Sequence, residues 1–369
     1  MRSGSGQDRR LSYLSEMSVT ASRPTIVKTG TENPDPVTGL EFPIPKCLNR
    51  LRAVAQVVVT ENESEETILK AVQGATVLMT TYGDVTRRVI EAGLPTLKGI
   101  VELGTGIDSL DIDAAKELGV RVVNCPRYAR NAVAECAFLL LITCMKKFAP
   151  IHRAVRAQGW VAALEPLKSM ELEGKIVGMV GFGHINSTLA RMCQGFDMKV
   201  QAYDPYLPRA AMAQRRVSKV DDLDELMACS DVVAVCLPLN AETAGIISEH
   251  RLRKMKPSAF LINIGRGACV DEMALLALLR EGAIAGCGLD VFAKEPLTKQ
   301  GHALSGLIDM DNVVITPHLA AWTRETWERL QAEVVQHVMD ILEGKDSVIY
   351  SSDPRLRGQA GCVYPEERT

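Results

Sequence analysis

No run in this chain is apolar for long enough to cross a bilayer: the longest, 132–145, carries Glu135 and falls short of the roughly 20 residues that a spanning helix needs. It reads instead as a buried helix. Aromatic side chains are scarce, at 5% against 47% hydrophobic residues, so the interior is aliphatic, as in layered α/β proteins. Neither sign of charge prevails, with 42 Lys and Arg against 45 Asp and Glu and no long like-charged run. Nucleic acid and membrane surfaces are therefore not expected partners. The ten cysteines include no C-x-x-C pair, which argues for small buried hydrophobes in a reducing compartment. His152, His250, His302 and His337 show no ligand spacing, so surface or packing roles are expected for them and no metal site. The opening residues, MRSGSGQDRRLSYLSEMSVT, lack the apolar core of a signal peptide and read as a leader or tag over 1–24, with Met17 as a candidate start. A cytoplasmic protein is the expectation.

What is present is an alternation. At 369 residues the chain exceeds the usual ceiling for one hydrophobic core, so two domains are expected. Short aliphatic runs at 25–27, 56–59, 76–79, 99–101 and 121–123 alternate with helical patterns, which predicts five strands of a parallel sheet with crossover helices. A helical stretch over 131–159 follows. A second alternation then places strands at 176–180, 199–203, 231–236, 259–264, 285–290 and 312–316. Six parallel strands make a doubly wound dinucleotide-binding domain. One amphipathic helix over 325–342 has the first unit as its natural partner. The expected division is a discontinuous substrate domain, 25–125 with 319–350, around a nucleotide domain at 126–318, and a loose or superficially packed tail at 351–369.

The most informative local pattern begins at Lys175. A strand runs into Gly181-Phe182-Gly183, a helix opens, and Asp204 ends the next strand. Gly181 permits the tight turn, and Gly183 lets the backbone approach a pyrophosphate at the positive helix N-terminus. Asp204 is placed to accept from ribose hydroxyls and to repel a 2′-phosphate, which favours NAD over NADP. Asn186 stands where the third glycine of the pattern belongs, so either the helix sits slightly away from the strand or the side chain is turned aside. Further along, three strands of this unit end in polar groups: INIG runs into Arg266, Asp290 leads to Glu295-Pro296, and VVITP ends in His318. Ligands of an open parallel sheet sit beyond the carboxyl ends of its strands, so these residues should converge.

Between about residues 25 and 349 the sequence resembles the D-isomer-specific 2-hydroxyacid dehydrogenase family. The matching words are GTGIDSLD at 104–111, NAVAE at 131–135, GFGHI at 181–185, YDP at 203–205, INIGRG at 262–267, DVFAKEP at 290–296 and TPH at 316–318. The resemblance implies an α/β protein of two doubly wound domains, with a Rossmann NAD-binding domain inserted into a flavodoxin-like substrate domain. It implies that Arg266 binds the substrate carboxylate and carbonyl, that His318 is the acid/base and that Glu295 orients and charges it. It also implies a cofactor pocket of Gly181, Gly183, His184, Ile185 and Asp204 on one side. Leu237, Pro238, Thr243, Ile264, Arg266, Asp290, His318 and Ala320 would form the other. Leu103, Gly104, Thr105 and Gly106 would meet the substrate together with Arg266 and His318. The region 132–145 would form a two-fold dimer contact.

The residue types suit reduction of a 2-keto acid. Hydride arriving at the carbonyl carbon builds negative charge on its oxygen, and a protonated imidazole supplies the proton there. A carboxylate beside the second ring nitrogen favours the imidazolium and fixes its orientation, while a guanidinium offers a planar fork to the substrate carboxylate. Amides of Gly104 to Gly106 would hold that carboxylate's other side. Glyoxylate, hydroxypyruvate and bulkier keto acids remain open, because the loops near Thr80 to Asp84, Leu103 to Ile107 and Trp322 set selectivity. A second class is a nucleotide-sensing co-regulator with weak turnover, which the same family includes; the intact Arg266, Glu295 and His318 set favours the enzyme.

Overall fold

The computed structural model describes residues 23–30, 46–351 and 353–364; the expected leader lies almost wholly outside them. The chain divides into two compact units, one of residues 1–128 with 324–368 and one of Ala129–Thr323.

The first unit holds a five-stranded parallel sheet, β1 (Thr25–Lys28), β2 (Gln56–Val59), β3 (Val77–Thr80), β4 (Gly99–Glu102) and β5 (Arg121–Val123), in the order β2-β1-β3-β4-β5. That is the flavodoxin-like winding. Its central strands VLMT and GIVE are buried at every position, which is why they appear in the sequence as unbroken aliphatic runs rather than alternating ones. Ser64 and Asp111 accept from amides of the first helical turns that follow them, fixing where two crossover helices begin. The returning helix Arg324–Leu342 buries Leu330, Val334, Val338 and Ile341 in the same core. It lies so close to β4 that a Cβ on Gly99 would stand 2.6 Å from Cδ1 of Ile341.

The tail differs from expectation. Residues 353–364 are docked: Leu356 is fully buried in the core, and Cys362–Val363 pairs in parallel with Ser347–Val348. The Gln359 amide accepts from Val122 N (2.7 Å) and donates to Val122 O (3.0 Å). That side chain supplies, at the free edge of β5, the two hydrogen bonds that a further strand would make.

The second unit holds seven parallel strands, not six. They are β6 (Ile176–Val180), β7 (Lys199–Tyr203), β8 (Ser218–Lys219), β9 (Val232–Val235), β10 (Phe260–Asn263), β11 (Gly286–Leu289) and β12 (Val313–Ile315), in the order β12-β11-β10-β9-β6-β7-β8. The unforeseen β8 is a two-residue edge strand, too short for any periodicity. The order reverses between β6 and β9, and the crevice beyond the strand ends at such a switch point is where ligands bind. The 131–159 stretch is two helices, Arg130–Met145 and Phe148–Gln158, separated at Lys147, whose φ of +49° ends the first. The first of them packs on β10, β11 and the helix His184–Gly195.

Its approach to the sheet depends on a missing side chain: a Cβ at Gly288 on β11 would lie 2.8 Å from the Cβ of Leu140. Gly288→Val should therefore lift this helix off the sheet and cost about 1–3 kcal/mol, read as a lower midpoint of thermal unfolding in calorimetry. An unchanged midpoint would contradict the contact.

Candidate active site

β6 delivers the chain into Gly181, whose φ is +80° and whose absent Cβ would stand 2.6 Å from Cδ2 of Leu237 and 2.9 Å from Cys236 O. Glycine is required there by both backbone conformation and space. At Gly183, the residue that caps the helix His184–Gly195, a Cβ would meet nothing within 4 Å. The helix N-terminus thus opens onto free volume, which fits an anionic pyrophosphate lying against its first amides. Asp204 at the end of β7 accepts from Phe182 N (2.9 Å) and Tyr206 N (3.0 Å), so the loop itself orients this carboxylate beside the glycines. The Asn186 side chain does not turn outward. It is buried and donates to Gly181 O at 2.7 Å, tying the helix to the strand end that the usual third glycine would merely let approach.

Across the switch point, β9 ends at the loop holding Leu237, Pro238 and Thr243. Thr243 Oγ1 donates to Pro238 O (2.6 Å) and accepts from Asn240 N (2.9 Å), which closes the loop on itself. β10 continues through buried Ile264 to Arg266. Asn263, which the sequence reading passed over, sets that turn: its Oδ1 accepts from Gly265 N (3.1 Å) and its Nδ2 donates to Arg266 O (3.0 Å). Gly267 lies against backbone, since a Cβ there would sit 2.0 Å from the carbonyl carbon of Phe292. That packing brings the Arg266 turn to the strand end bearing Glu295.

His318 and Glu295 meet directly, Nδ1 to Oε2 at 2.8 Å, with their side chains 36% and 34% exposed. The pair is held by protein on one side and reachable from the other. The second oxygen of Glu295 accepts from Phe292 N at 3.0 Å. Burial pushes the Glu295 carboxyl up, but the hydrogen bonds from His318 and Phe292 and the charges of His318 and Arg266 outweigh it and leave it below its ordinary value. An ionised carboxylate only accepts, so Nδ1 of His318 carries the shared proton.

Asp290, expected in the cofactor pocket, bonds to the loop that carries His318. Almost fully buried, it accepts from Thr316 Oγ1 (2.6 Å) and Leu319 N (3.0 Å) on Oδ1 and from Ala320 N (3.1 Å) on Oδ2, while its backbone oxygen accepts from His318 N (2.8 Å). It spends its carboxylate on the loop that carries His318. Thr316 was missed in the sequence; polar residues ending two neighbouring strands were the available signal.

Leu103, Gly104, Thr105 and Gly106 lie in the first unit, at the end of β4. Leu103 N donates to Thr80 O (2.8 Å), Gly104 O accepts from Cys125 N (2.9 Å) and Thr105 O accepts from Asn124 Nδ2 (2.7 Å). The loop is thus anchored through its carbonyls. Of the other residues weighed in the sequence, Trp322 is half exposed and His250 faces Asp224 at 3.3 Å. Cys229 is exposed, contrary to the general expectation of buried thiols. Among the described residues no helix is long and apolar enough to cross a membrane.

The geometry has counterparts. Residues 138–320 match the NAD binding domain of the D-isomer specific 2-hydroxyacid dehydrogenases. The chain is 37% identical over 278 residues to a D-3-phosphoglycerate dehydrogenase of Mycobacterium leprae, covering 75% of this chain and 51% of that protein, so it spans about half the length of such relatives. It is 34% identical over 307 residues to a glyoxylate reductase of Pyrococcus furiosus, covering 81% of this chain and 89% of that one. A D-lactate dehydrogenase from Aquifex aeolicus, solved with NAD and lactic acid, superposes with a TM-score of 0.77 at 29% identity over 86% of this chain and 96% of that chain. The chain belongs to the D-isomer-specific 2-hydroxyacid dehydrogenase family, and residues 138–320 are its NAD-binding domain.

Proposed function

We propose that this protein is an NAD-dependent reductase that converts a small 2-keto acid, of the glyoxylate and hydroxypyruvate class or broader, to the D-2-hydroxy acid. The observation that carries the reading is the 2.8 Å His318–Glu295 pair on strand ends next to that of Arg266. When bound, NADH supplies the hydride. Gly181 turns the chain so that Gly183, His184 and Ile185 would present backbone to its phosphates, and Asp204 would accept from a ribose. Leu237, Pro238, Thr243, Ile264 and Ala320 line its remaining length. Arg266 binds the substrate carboxylate and polarises the carbonyl; amides at Gly104, Thr105 and Gly106 are the expected second hold, beside Leu103. With Nδ1 bonded to Glu295, the proton passes from Nε2 of His318 to the oxygen that gains charge. Glu295 stabilises the imidazolium before transfer, and Asp290 positions it through the backbone. The co-regulator alternative gains no observation in its favour.

NADH oxidation with a panel of 2-keto acids tests the reaction. His318→Ala should lower kcat by about a hundredfold or more while cofactor binding survives; near-normal turnover by the folded variant would remove His318 from the mechanism.

Cofactor choice rests on Asp204, already held by two backbone amides at the glycine loop. Its charge should make NADH strongly preferred over NADPH, and Asp204→Ala should narrow the ratio of kcat/KM values. Equal values in the unaltered protein would sink this argument.

We further propose a homodimer in the cytoplasm. Leu139, Phe148, Val155, Trp160 and Leu164 are exposed over two consecutive helices and the loop after them, Trp160 at 96%, and such an apolar surface suits a self-complementary contact. Sedimentation velocity at micromolar concentration should give a dimer; a monomer would count against it.

A further inference from the structure

The reaction proposed above leaves one buried cluster without a task. Cys125 follows β5, and Glu333 and His337 lie one turn apart on the helix Arg324–Leu342, where positions i and i+4 share a face. One donor atom from each, a sulfur, a carboxylate oxygen and a ring nitrogen, lies within 4.8 Å of the other two. Cys125 is 0% and His337 4% exposed, and the Glu333 side chain is 12% exposed. Neither ring nitrogen of His337 has a hydrogen-bond partner, nor has Oε1 of Glu333.

Orphaned polar atoms of this kind are rare in a folded interior, because each forfeits its hydration without replacement. A buried imidazole and a buried carboxylate that share a helix face, each able to turn one such atom toward a thiol, require an explanation. The helical i, i+4 spacing was present in the sequence, but the third member is two hundred residues away, which is why no ligand pattern was expected there.

We propose that Cys125, Glu333 and His337 bind one divalent cation of the zinc class. The donor set selects the metal: thiolate and imidazole suit zinc and cobalt(II), whereas calcium and magnesium take oxygen shells. On binding, the Cys125 S–H bond breaks, its proton leaves to solvent and a sulfur–metal bond forms. His337 contributes a nitrogen lone pair and Glu333 an ionised carboxylate, so two anionic donors balance the 2+ charge. A water completes four-coordination.

One charge opposes this. Arg127 Nε stands 3.9 Å from Oε1 of Glu333, and its guanidinium lies over the Tyr350 ring at 3.4 Å. Its side chain is 57% exposed, so it is free to give up Glu333 and remain solvated. The metal would join the last strand of the first segment to the helix that returns after the inserted unit, stapling the two separated pieces of one core.

The test uses the full chain stripped by a chelator and titrated with cobalt(II). One equivalent should bind with a thiolate-to-cobalt charge-transfer band, zinc should displace it, and zinc should raise the midpoint of thermal unfolding. Cys125→Ser should abolish the band. Glu333→Gln should weaken binding at least about a hundredfold, more than the loss of an outer-sphere partner costs. Cys229→Ser, which removes the exposed thiol, should change nothing. No cobalt uptake by the unaltered chain would overturn the proposal and leave the cluster holding only a water. A band that survives Cys125→Ser, or that disappears with Cys229→Ser, would overturn it as well. If Cys125→Ser does not fold, the native chain and Glu333→Gln decide by themselves.

Discussion

His318 has a φ of +55°, a left-handed backbone that costs an L residue about 1–2 kcal/mol, and the buried carboxylate of Asp290 is what holds it there. Three hydrogen bonds converge on that carboxylate from Thr316, Leu319 and Ala320. Together with the His318 amide bonded to Asp290 O, they wrap residues 316–320 around the end of β11. The same strand end leads on to Glu295. Imidazole and carboxylate are therefore placed by one anchoring point, and their 2.8 Å contact follows from the turn rather than from the chance meeting of two flexible side chains. Residues strained in this way persist only where surrounding structure over-determines them, and here that structure is visible bond by bond.

Glycines do the corresponding work by absence. Gly181 brings β6 against Leu237, Gly267 brings the Arg266 turn against Phe292, and Gly288 brings the helix Arg130–Met145 onto β11. Each removes a side chain where two pieces of backbone or core must touch. Gly183 is different, because nothing occupies the space its Cβ would fill. Close packing explains the first three and does not explain the fourth.

The strands were legible because parallel strands buried on both faces leave short aliphatic runs at regular intervals. The polar residues at the strand ends were legible for a related reason: a charged residue directly after such a run has left the hydrophobic layer at its carboxyl edge. What escaped had no such contrast. β8 is two residues long, and Lys147 breaks a helix through a backbone angle rather than a residue type that announces it. Asn186 and Gln359 replace backbone or glycine functions by side-chain hydrogen bonds, a substitution visible only once the partners are known. The bonds of Asp290 to the loop of His318 escaped too, because a sequence pattern does not say what a carboxylate is bonded to.

The carboxyl of Glu295 is held down by His318 and Arg266 as well as by a backbone amide. Glu272 and Glu295 are neighbours at the same edge, and each accepts one amide, from Ala293 and Phe292 respectively. Burial raises the Glu272 carboxyl, and the Ala293 amide and the charge of His302 do not offset it. At Glu295 burial acts in the same direction, yet the net displacement is downward, because His318 bonds it directly and Arg266 adds its field. One amide each, opposite outcomes: the difference is the imidazole and the guanidinium. Removing Glu295 would therefore release the orientation of His318, whereas removing Glu272 would cost only a loop contact.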